Sequence, residues 1–201
     1  MTYTPARYQS YQDYLEDETL SPDGNYRLLS TGELIEVPSE DDLNLRIAIY
    51  LLVRLLQWQG GRLQGRVRNG NKELQVRPVG DAQVNRKPDV MVLQPEHLEI
   101  AKQAVLLDMM PPLWVAEVVS PGPENSRNYQ RDYVWKRQQY EELGISGYWI
   151  IDPHRQKVTV LLLKQGRYQE KVYVPSEQID SELFPALVVD VSQLLSGGLS
   201  G

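Results

Sequence analysis

The sequence predicts an α/β fold in which a β-sheet carries helices on its faces. Short apolar segments alternate with helical patterns, and Gly and Pro residues separate them, in the order helix, hairpin, helix, strands, helix, strands. At 201 residues, with 41% hydrophobic residues, the chain suits one domain with a substantial core. In such a fold we expect the chemistry at the ends or kinks of strands.

The N-terminal part predicts a helical arm followed by a hairpin. Residues 4–18 place tyrosines and a leucine at helical spacing after Thr4-Pro5, a typical helix start. Residues 25–29 and 33–37 then flank the tight-turn sequence Ser30-Thr31-Gly32. We expect the arm to pack on the body of the protein or on a partner.

A second helix and a second hairpin follow. Ser39 and the acids after it predict a helix that runs to about Trp58 and ends at Gly60-Gly61. Its predicted inward face consists of Leu45, Ile49, Leu52 and Leu56. Residues 62–68 and 72–79 predict a hairpin, because the Asn-Gly between them favours a left-handed turn.

The second half of the chain predicts five strands around a third helix. Strands at about 88–93 and 113–119 precede a helix at about 125–143, which stops at Gly144. Three more strands are predicted at 148–153, 157–163 and 168–174. We therefore divide the chain into an arm at 1–20, a domain at 21–195 and a frayed Ser/Gly-rich tail at 196–201.

Composition excludes several classes of protein. The chain has no cysteine, which excludes disulfides, zinc-thiolate sites and thiol catalysis, and predicts a reducing compartment such as the cytoplasm. The N-terminus lacks the pattern of a signal sequence, and no segment approaches the roughly 20 apolar residues that span a bilayer. We expect no association with membranes.

The charge balance is less decisive. A formal net charge of −6 counts against a non-specific polyanion-binding surface. Basic residues are nevertheless clustered in three segments: Arg62, Arg66, Arg68, Lys72 and Arg77; Arg86 and Lys87; and Arg127, Arg131, Lys136 and Arg137. Solvated faces of ordinary hairpins and helices would explain these clusters as well as contacts with nucleic acid would.

Two acidic residues interrupt apolar strands. Asp89 shares a strand face with Met91 and Leu93, whereas Glu117 lies at the centre of Trp-Val-Ala-Glu-Val-Val. A buried carboxylate needs a cation, a hydrogen-bond donor or a raised pKa. Bound Mg²⁺ would meet that need and retain waters that could act as nucleophiles. Alternatively, Asp89 caps a turn and Glu117 pairs with a basic residue.

A lysine lies within the apolar stripe of the third predicted helix. Tyr129, Tyr133, Tyr140 and Leu143 follow helical spacing, and the missing member of the series is Lys136. An ion pair with Asp132, four residues earlier, would explain this cation, as would snorkelling. Because the helix follows the Glu117 strand, the lysine could instead reach the carboxylates. Two strand acids and a facing lysine are suited to phosphodiester hydrolysis.

These residues carry a family resemblance. Pro88-Asp89, Glu117 and Lys136 resemble the pattern of the PD-(D/E)XK nuclease superfamily, and the ordered set resembles its bacterial Uma-type family of restriction-endonuclease-like proteins. The stretches that carry it are Gly-Glu-Leu-Ile-Glu-Val at 32–37, the Pro-Asp strand, Glu-Val-Val-Ser-Pro at 117–121, Arg131-Asp132 to Lys136, and Tyr-Trp-Ile-Ile-Asp-Pro at 148–153. The resemblance spans about residues 25–165. It implies a restriction-endonuclease-like core with a mixed β-sheet flanked by helices, dependence on Mg²⁺, which Mn²⁺ could replace, and nucleic acid, expected to be DNA, as substrate.

The chain departs from the family pattern at three positions. The superfamily usually has lysine two residues after the second acid, where this chain has Val119, so Lys136 is the expected replacement. Arg27 stands where relatives often have glutamate, and Asn44 where many have histidine. Glu33 and Glu36 lie on opposite faces of their strand, so at most one is expected to reach the site.

The sequence therefore leaves two hypotheses. In the first, the protein is an Mg²⁺-dependent endonuclease with Asp89, Glu117 and the carbonyl of Val118 as metal ligands and Lys136 as the cation that orients water or stabilises the transition state. In the second, it is a non-catalytic module that binds nucleic acid or protein and keeps the fold. A homodimer is expected, because nucleases that cut both strands often need two sites.

Overall fold

The computed structural model describes residues 8–21, 24–38 and 41–199, together with the backbone of residues 2–4. In chain order the elements are β1 (Thr2–Thr4), α1 (Tyr11–Leu15), β2 (Tyr26–Leu28), β3 (Leu34–Glu36), α2 (Asp42–Gln57), β4 (Val67–Arg68), β5 (Glu73–Gln75), β6 (Asn85–Arg86), β7 (Val90–Val92), α3 (His97–Ile100), β8 (Ala104–Val105), β9 (Trp114–Val118), α4 (Arg127–Tyr129), α5 (Lys136–Leu143), β10 (Gly147–Asp152), β11 (Lys157–Lys164), β12 (Arg167–Tyr173), β13 (Gln178–Asp180), β14 (Val188–Asp190) and α6 (Val191–Leu195).

A six-stranded mixed sheet forms the centre of the molecule. Its strand order is β12-β11-β10-β9-β7-β4, and β9 runs parallel to β10 while every other neighbouring pair is antiparallel. All residues of β9 and β10 are buried, as expected for apolar strands covered on both faces. Two parallel neighbours need a crossover connection, and the helical segment with α4 and α5 supplies it.

Each face of this sheet packs against its own helical layer. Helices α2 and α6 contribute Leu51 and Leu194 to a core that includes Trp114. On the opposite face, Tyr140 of α5 packs with Met91 and other apolar side chains of the sheet. Asp89 alternates with Met91, and Glu117 with Val115, both of this second layer, so the sheet directs the two acids towards the crossover helix.

The N-terminal helix is shorter than its spacing predicted. Helix α1 begins after Ser10, whose hydroxyl accepts the N–H of Asp13 while the Asp13 carboxylate accepts the N–H of Ser10. The prediction of a helix from Thr4 is wrong, because Thr4 belongs to strand β1, which pairs with β3. Pro5 lies outside the described residues. Tyr14 packs into a small core formed with β2 and β3.

The buried face of α2 is rotated from the predicted one: Leu52 and Leu56 pack partly buried against the core, as predicted, but they are not its centre. Its core positions are Ile47, Ala48, Leu51 and Leu55. Leu45 and Ile49, which were predicted to point inwards, are 49% and 43% exposed. Apolar residues occupy both sides of this helix, so spacing allowed more than one stripe and contact with the sheet decided between them. The cap is Asp41, whose side chain accepts the N–H of Asn44, whereas the predicted Ser39 lies outside the described residues.

The second predicted hairpin is wrong, whereas the first, β2 with β3, is confirmed. Strand β4 pairs with β7 in the central sheet, whereas β5 pairs with β6 and β8 in another sheet. The N–H of Gly70 donates to the carbonyls of Pro88 and Asp89, at 3.1 Å each. The left-handed turn at Gly70 is therefore present, but it docks on the start of β7 instead of closing a hairpin.

The predicted third helix ends at Gly144, as expected, but it is not a regular α-helix. Residues Gln130–Trp135 form a π-helical turn between α4 and α5. Such turns insert an extra residue into a helix and are frequent at functional sites. Gly144 has φ +81°, the left-handed conformation that glycine adopts without strain. No helix among the described residues is both long and apolar enough to cross a bilayer.

The observed face of α2 predicts unequal effects of two identical substitutions. Leu51→Ala should lower the free energy of unfolding by about 2–5 kcal/mol, because it leaves a cavity in the core. Leu45→Ala, on the same helix, should change it by no more than about 0.5 kcal/mol because the side chain is half exposed. Urea unfolding of both variants and the wild type would measure this. Equal losses would contradict the observed orientation of α2.

Candidate active site

The two acids of the predicted site lie opposite one another. Strands β7 and β9 pair with Val90 opposite Ala116, and continuing this register by one residue puts Asp89 opposite Glu117. Residues opposed in this way direct their side chains to the same face of the sheet. The Oδ2 atom of Asp89 also accepts the N–H of Val118 at 2.6 Å. Asp89, Glu117 and Val118 together line a cleft of about 60 Å³.

Glu117 is buried and held by two donors from one helix. Its side chain receives a hydrogen bond from Lys136 Nζ to Oε2 at 2.8 Å and one from the Tyr140 hydroxyl to Oε1 at 2.5 Å. Burial, followed by the negative charge of Glu117, raises the pKa of Tyr140, so its hydroxyl keeps the proton that it donates. These two contacts offset the cost of burying the carboxylate.

Lys136 contacts both of the partners that the sequence offered it. Its Nζ lies 3.0 Å from Oδ1 of Asp132 as well as 2.8 Å from Glu117. The intrahelical pair and the contact with the strand acid are therefore compatible. Burial lowers the pKa of Lys136, but the charges of Asp132 and Glu117 outweigh burial and raise it. Lys136 is consequently a cation at physiological pH.

Asp132 is fully buried at the π-helical turn and pairs with Arg131 as well as with Lys136. Arg131 grips it with Nε and Nη2, each 2.8 Å from a carboxylate oxygen, and also donates to the hydroxyl of Ser120 at 2.9 Å. Burial raises the pKa of Asp132, but the charges of Lys136 and Arg131 outweigh burial and hold it below its usual value. The hydroxyl of Tyr148 donates to the main-chain carbonyl of Asp132 at 3.1 Å.

Basic side chains dominate the rest of the cleft wall. Five of them line it: Arg27, Arg86, Lys87, Arg131 and Lys136. Arg86 is buried and bound to Asp81 through Nη2, at 2.9 and 3.0 Å, and Lys87 lies 3.6 Å from Glu73. Sequence reasoning did not assign Arg86 to the site, although its place just before Pro88-Asp89 was a usable signal.

Arg27 is the cation of the cleft whose guanidinium meets no carboxylate within ion-pair distance among the described residues. Its hydrogen bonds go to the Asn25 side chain at 2.7 Å and to the Tyr26 carbonyl at 2.8 Å. Burial and the neighbouring Arg86 lower its pKa, and Glu73 and Glu117 partly counteract them.

The oxygen atoms of the cleft fit a hard divalent cation. No group of three or more His, Cys, Asp or Glu side chains within the described ranges could hold a metal. A metal here would therefore use the carboxylates of Asp89 and Glu117, the carbonyl of Val118, and water. This combination suits Mg²⁺, which binds through one or two carboxylates and keeps several waters. Carboxylate oxygens that accept a protein donor retain lone pairs for a second partner.

Comparisons with known proteins identify the family of the chain. A family model described as "Uma2: Putative restriction endonuclease" matches residues 9–192, most of the chain. The chain belongs to the Uma2 family. No curated protein sequence gives a significant match.

A solved structure shows the same fold as this Uma2 chain. It is described as a "putative nuclease belonging to DUF820" from Anabaena variabilis ATCC 29413, with a TM-score of 0.60 and 16% identity over 87% of this chain and 91% of that chain. The fold of the chain is therefore restriction-endonuclease-like, a mixed sheet flanked by helices, as the resemblance implied.

The structure also locates the five residues whose role the family pattern left open. Arg27 lines the cleft, whereas neither Glu33 nor Glu36 does. The Glu33 carboxylate accepts the hydroxyl of Thr31, and Glu36 is exposed. Asn44 is buried in the first turn of α2, away from the cleft lining, and Val119 packs in the core.

A larger concavity of about 550 Å³ adjoins the cleft, and Lys87 lines both. We call it the basic pocket; its basic lining residues are Arg68, Lys72, Lys87 and Lys102. His97 forms part of its wall and is only 1% exposed.

His97 is neutral and has one defined tautomer. Its Nδ1 accepts the N–H of Gln94 at 3.2 Å, whereas its Nε2 lies 2.6 Å from the Met110 carbonyl, which can only accept. The proton is therefore on Nε2. Burial lowers the pKa of His97; the Met110 carbonyl and Glu96 act against burial, and Lys72 and Arg66 act with it.

The lowered pKa of His97 predicts a pH dependence of stability. The neutral form of His97 is favoured in the folded state. The contribution of His97 to the free energy of unfolding is therefore fully present above the unfolded-state pKa of about 6.5, and it is lost as pH falls through the folded-state pKa. Between pH 7.5 and about 5 the wild type should lose more unfolding free energy than His97→Gln. His154→Gln, the change at the other histidine, is the control and should behave as the wild type. Urea unfolding at several pH values measures this, and parallel curves for His97→Gln and wild type would contradict it.

Proposed function

We propose that the protein is an Mg²⁺-dependent endonuclease that hydrolyses phosphodiester bonds in nucleic acid, and that Mn²⁺ can substitute for Mg²⁺. The observation that carries the proposal is the position of Lys136, whose ammonium lies 2.8 Å from Glu117 in the cleft that Asp89 also lines. Membership of the Uma2 family supports the same chemistry.

The metal would be held by Asp89, Glu117 and the carbonyl of Val118. When bound, it would neutralise phosphoryl oxygens and lower the pKa of a coordinated water. The protein contributes by fixing these oxygens before the substrate arrives. Asp89 is tied to the Val118 N–H at 2.6 Å and Glu117 to Tyr140 at 2.5 Å, so neither carboxylate needs to be ordered at the moment of reaction.

Lys136 acts as an electrostatic group and not as a base. Its raised pKa keeps the ammonium charged, so it cannot take a proton from water. Of its three N–H donors, two are directed to Glu117 and Asp132, which leaves one for a water or a phosphoryl oxygen in the cleft. Negative charge that develops on the phosphoryl group would be stabilised by this fixed cation.

Arg27 would add a second cation for the same anion. Most cations of the cleft are already neutralised by carboxylates behind them, as Arg86 is by Asp81 and Arg131 by Asp132. Arg27 meets no such carboxylate among the described residues, so its guanidinium can bind a phosphate without breaking an ion pair.

Cleavage should depend on Lys136 more than on a lysine elsewhere. Lys136→Met should reduce the rate about 10²–10³-fold, the usual cost of one group that stabilises transition-state charge. Asp89→Ala should abolish cleavage because a metal ligand is lost. Matched controls are Lys164→Met and Asp180→Ala, both exposed and remote from the cleft. Labelled single-stranded, duplex and branched DNA, with Mg²⁺ or Mn²⁺, would serve as substrates.

These cleavage assays also distinguish the two hypotheses drawn from the sequence, the endonuclease and the non-catalytic module. Circular dichroism and urea unfolding establish which variants fold, and Lys136→Arg keeps the charge if Lys136→Met does not fold. Cleavage that persists in both Asp89→Ala and Lys136→Met would show that the active site is not the one proposed. Binding of nucleic acid by the wild type without cleavage in either metal would favour the non-catalytic module.

Metal binding should be visible without activity. At a Mn²⁺ concentration about 100 times its Kd, the metal should stabilise the wild type by about 2.7 kcal/mol. Asp89→Asn removes a ligand charge without changing the shape of the side chain and should lose most of this gain, whereas Asp180→Asn should retain it. Thermal unfolding with and without Mn²⁺ provides the measurement. An equal gain in Asp89→Asn would show that the metal binds elsewhere.

The preference for DNA, the homodimer and the cytoplasmic location stay predictions from the sequence. Size-exclusion chromatography with light scattering would test the dimer directly.

A further inference from the structure

We propose that the basic pocket binds the phosphate backbone of an unpaired nucleotide that flanks the cleaved bond. This inference rests on the proposed nuclease function and deepens it, because it selects single-stranded or branched nucleic acid over an intact duplex. Its support comes from the charge of the pocket, its connection to the cleft and its shape.

The basic pocket has an excess of positive charge, because its four basic side chains outnumber the two acids, Asp17 and Glu73, that also line it. Arg68, Lys72 and Lys102 form no ion pair among the described residues, whereas Lys87 is paired with Glu73 at 3.6 Å. Glu73 is further occupied by the hydroxyls of two tyrosines and by an asparagine amide. Three such cations at one place in a chain of net charge −6 indicate an anionic ligand.

Lys72 is the most informative of the three. It is only 7% exposed, and its ammonium donates to the main-chain carbonyls of Ala101 and Lys102, the latter at 2.7 Å. Two carbonyls orient a third N–H but do not balance the charge. Burial, with Arg68 nearby, lowers the pKa of Lys72, so an anion in the pocket would stabilise the charged form.

The pocket and the cleft are structurally connected. Lys87 lines both, and it directly precedes Pro88-Asp89. The turn between Arg68 and Lys72 is also tied to the metal-ligand strand, since the Gly70 N–H donates to the carbonyls of Pro88 and Asp89. A nucleic-acid strand whose scissile phosphate lies at Asp89 would therefore continue past Lys87 into the basic pocket.

The size and lining of the pocket favour an unpaired nucleotide. A volume of about 550 Å³ lies within the roughly 300–1,000 Å³ of pockets that enclose small ligands. Leu15, Leu20 and Leu98 line it together with the basic residues, which provides an apolar surface for a base and cations for its phosphate. A paired base is held by its complement and its stacked neighbours, so only an unpaired nucleotide can enter the pocket without the free-energy cost of unpairing and unstacking.

Binding measurements in EDTA would test this without hydrolysis. The probe is fluorescein-labelled oligothymidylate, compared with the same strand annealed to its complement and with oligouridylate, followed by anisotropy at several salt concentrations. The test variant is Arg68→Gln with Lys102→Gln, which leaves buried Lys72 in place. The matched control is Lys164→Gln with Lys171→Gln, an equal change of charge on exposed positions of β11 and β12, across the sheet from β4.

We expect the test variant to bind the single strand about tenfold more weakly, with the slope of log K against log salt reduced by about 0.7 for each lost phosphate contact. The control should bind as the wild type does, and the duplex should bind more weakly than the single strand. Equal binding by the test variant and the control, equal binding of duplex and single strand, or no binding by the wild type would overturn the proposal. Equal binding of oligothymidylate and oligouridylate would show that the pocket recognises the phosphate and base that DNA and RNA share.

Hydrolysis in Mg²⁺, measured separately, distinguishes this inference from the proposed function. Wild type that binds through the pocket but never cleaves refutes the nuclease and leaves the pocket assignment standing. Wild type that cleaves, with the test variant unchanged in both KM and binding, refutes the pocket and leaves the nuclease standing.

Discussion

The ammonium of Lys136 is shared by two buried carboxylates from different elements, Glu117 on β9 and Asp132 on the π-helical turn. Each member of this group would be costly to bury alone, and removal of any one leaves an unbalanced charge in the interior. Arg131 adds a second cation to the group through its ion pair with Asp132. The crossover helix is thereby fixed against the sheet by charge as well as by apolar packing, and the cleft exists because the two are held together there.

The sequence predicted the central strands, the third helix and the presence of Asp89 and Glu117 on apolar strands, because period-two alternation and acids within apolar segments are local signals. It was wrong about Leu45 and Ile49 on α2, because leucines and isoleucines surround this helix and contact with the sheet decides which of them are buried. It was also wrong about the hairpin at residues 62–79, because the Asn-Gly turn docks on the Pro88-Asp89 backbone, a long-range contact that no local pattern reveals.

For the site, sequence spacing identified Lys136 but left its partner undecided between Asp132 and Glu117. The ammonium reaches both, which a pairwise choice could not anticipate. Tyr140 was interpreted as core, and it is buried, yet its hydroxyl also binds Glu117. The pairing of Arg86 with Asp81 was missed because it depends on how the loop before β6 folds back.

The π-helical turn makes the length of this segment part of the chemistry. Each residue of a helix turns the following side chain by about 100°, so deletion of one residue between Asp132 and Lys136 would swing the ammonium away from the carboxylate on the strand. A substitution at Asp132 or Lys136 removes the contacts of one side chain, whereas a change of length would shift every side chain that follows it. The number of residues in this stretch is therefore a structural requirement in its own right.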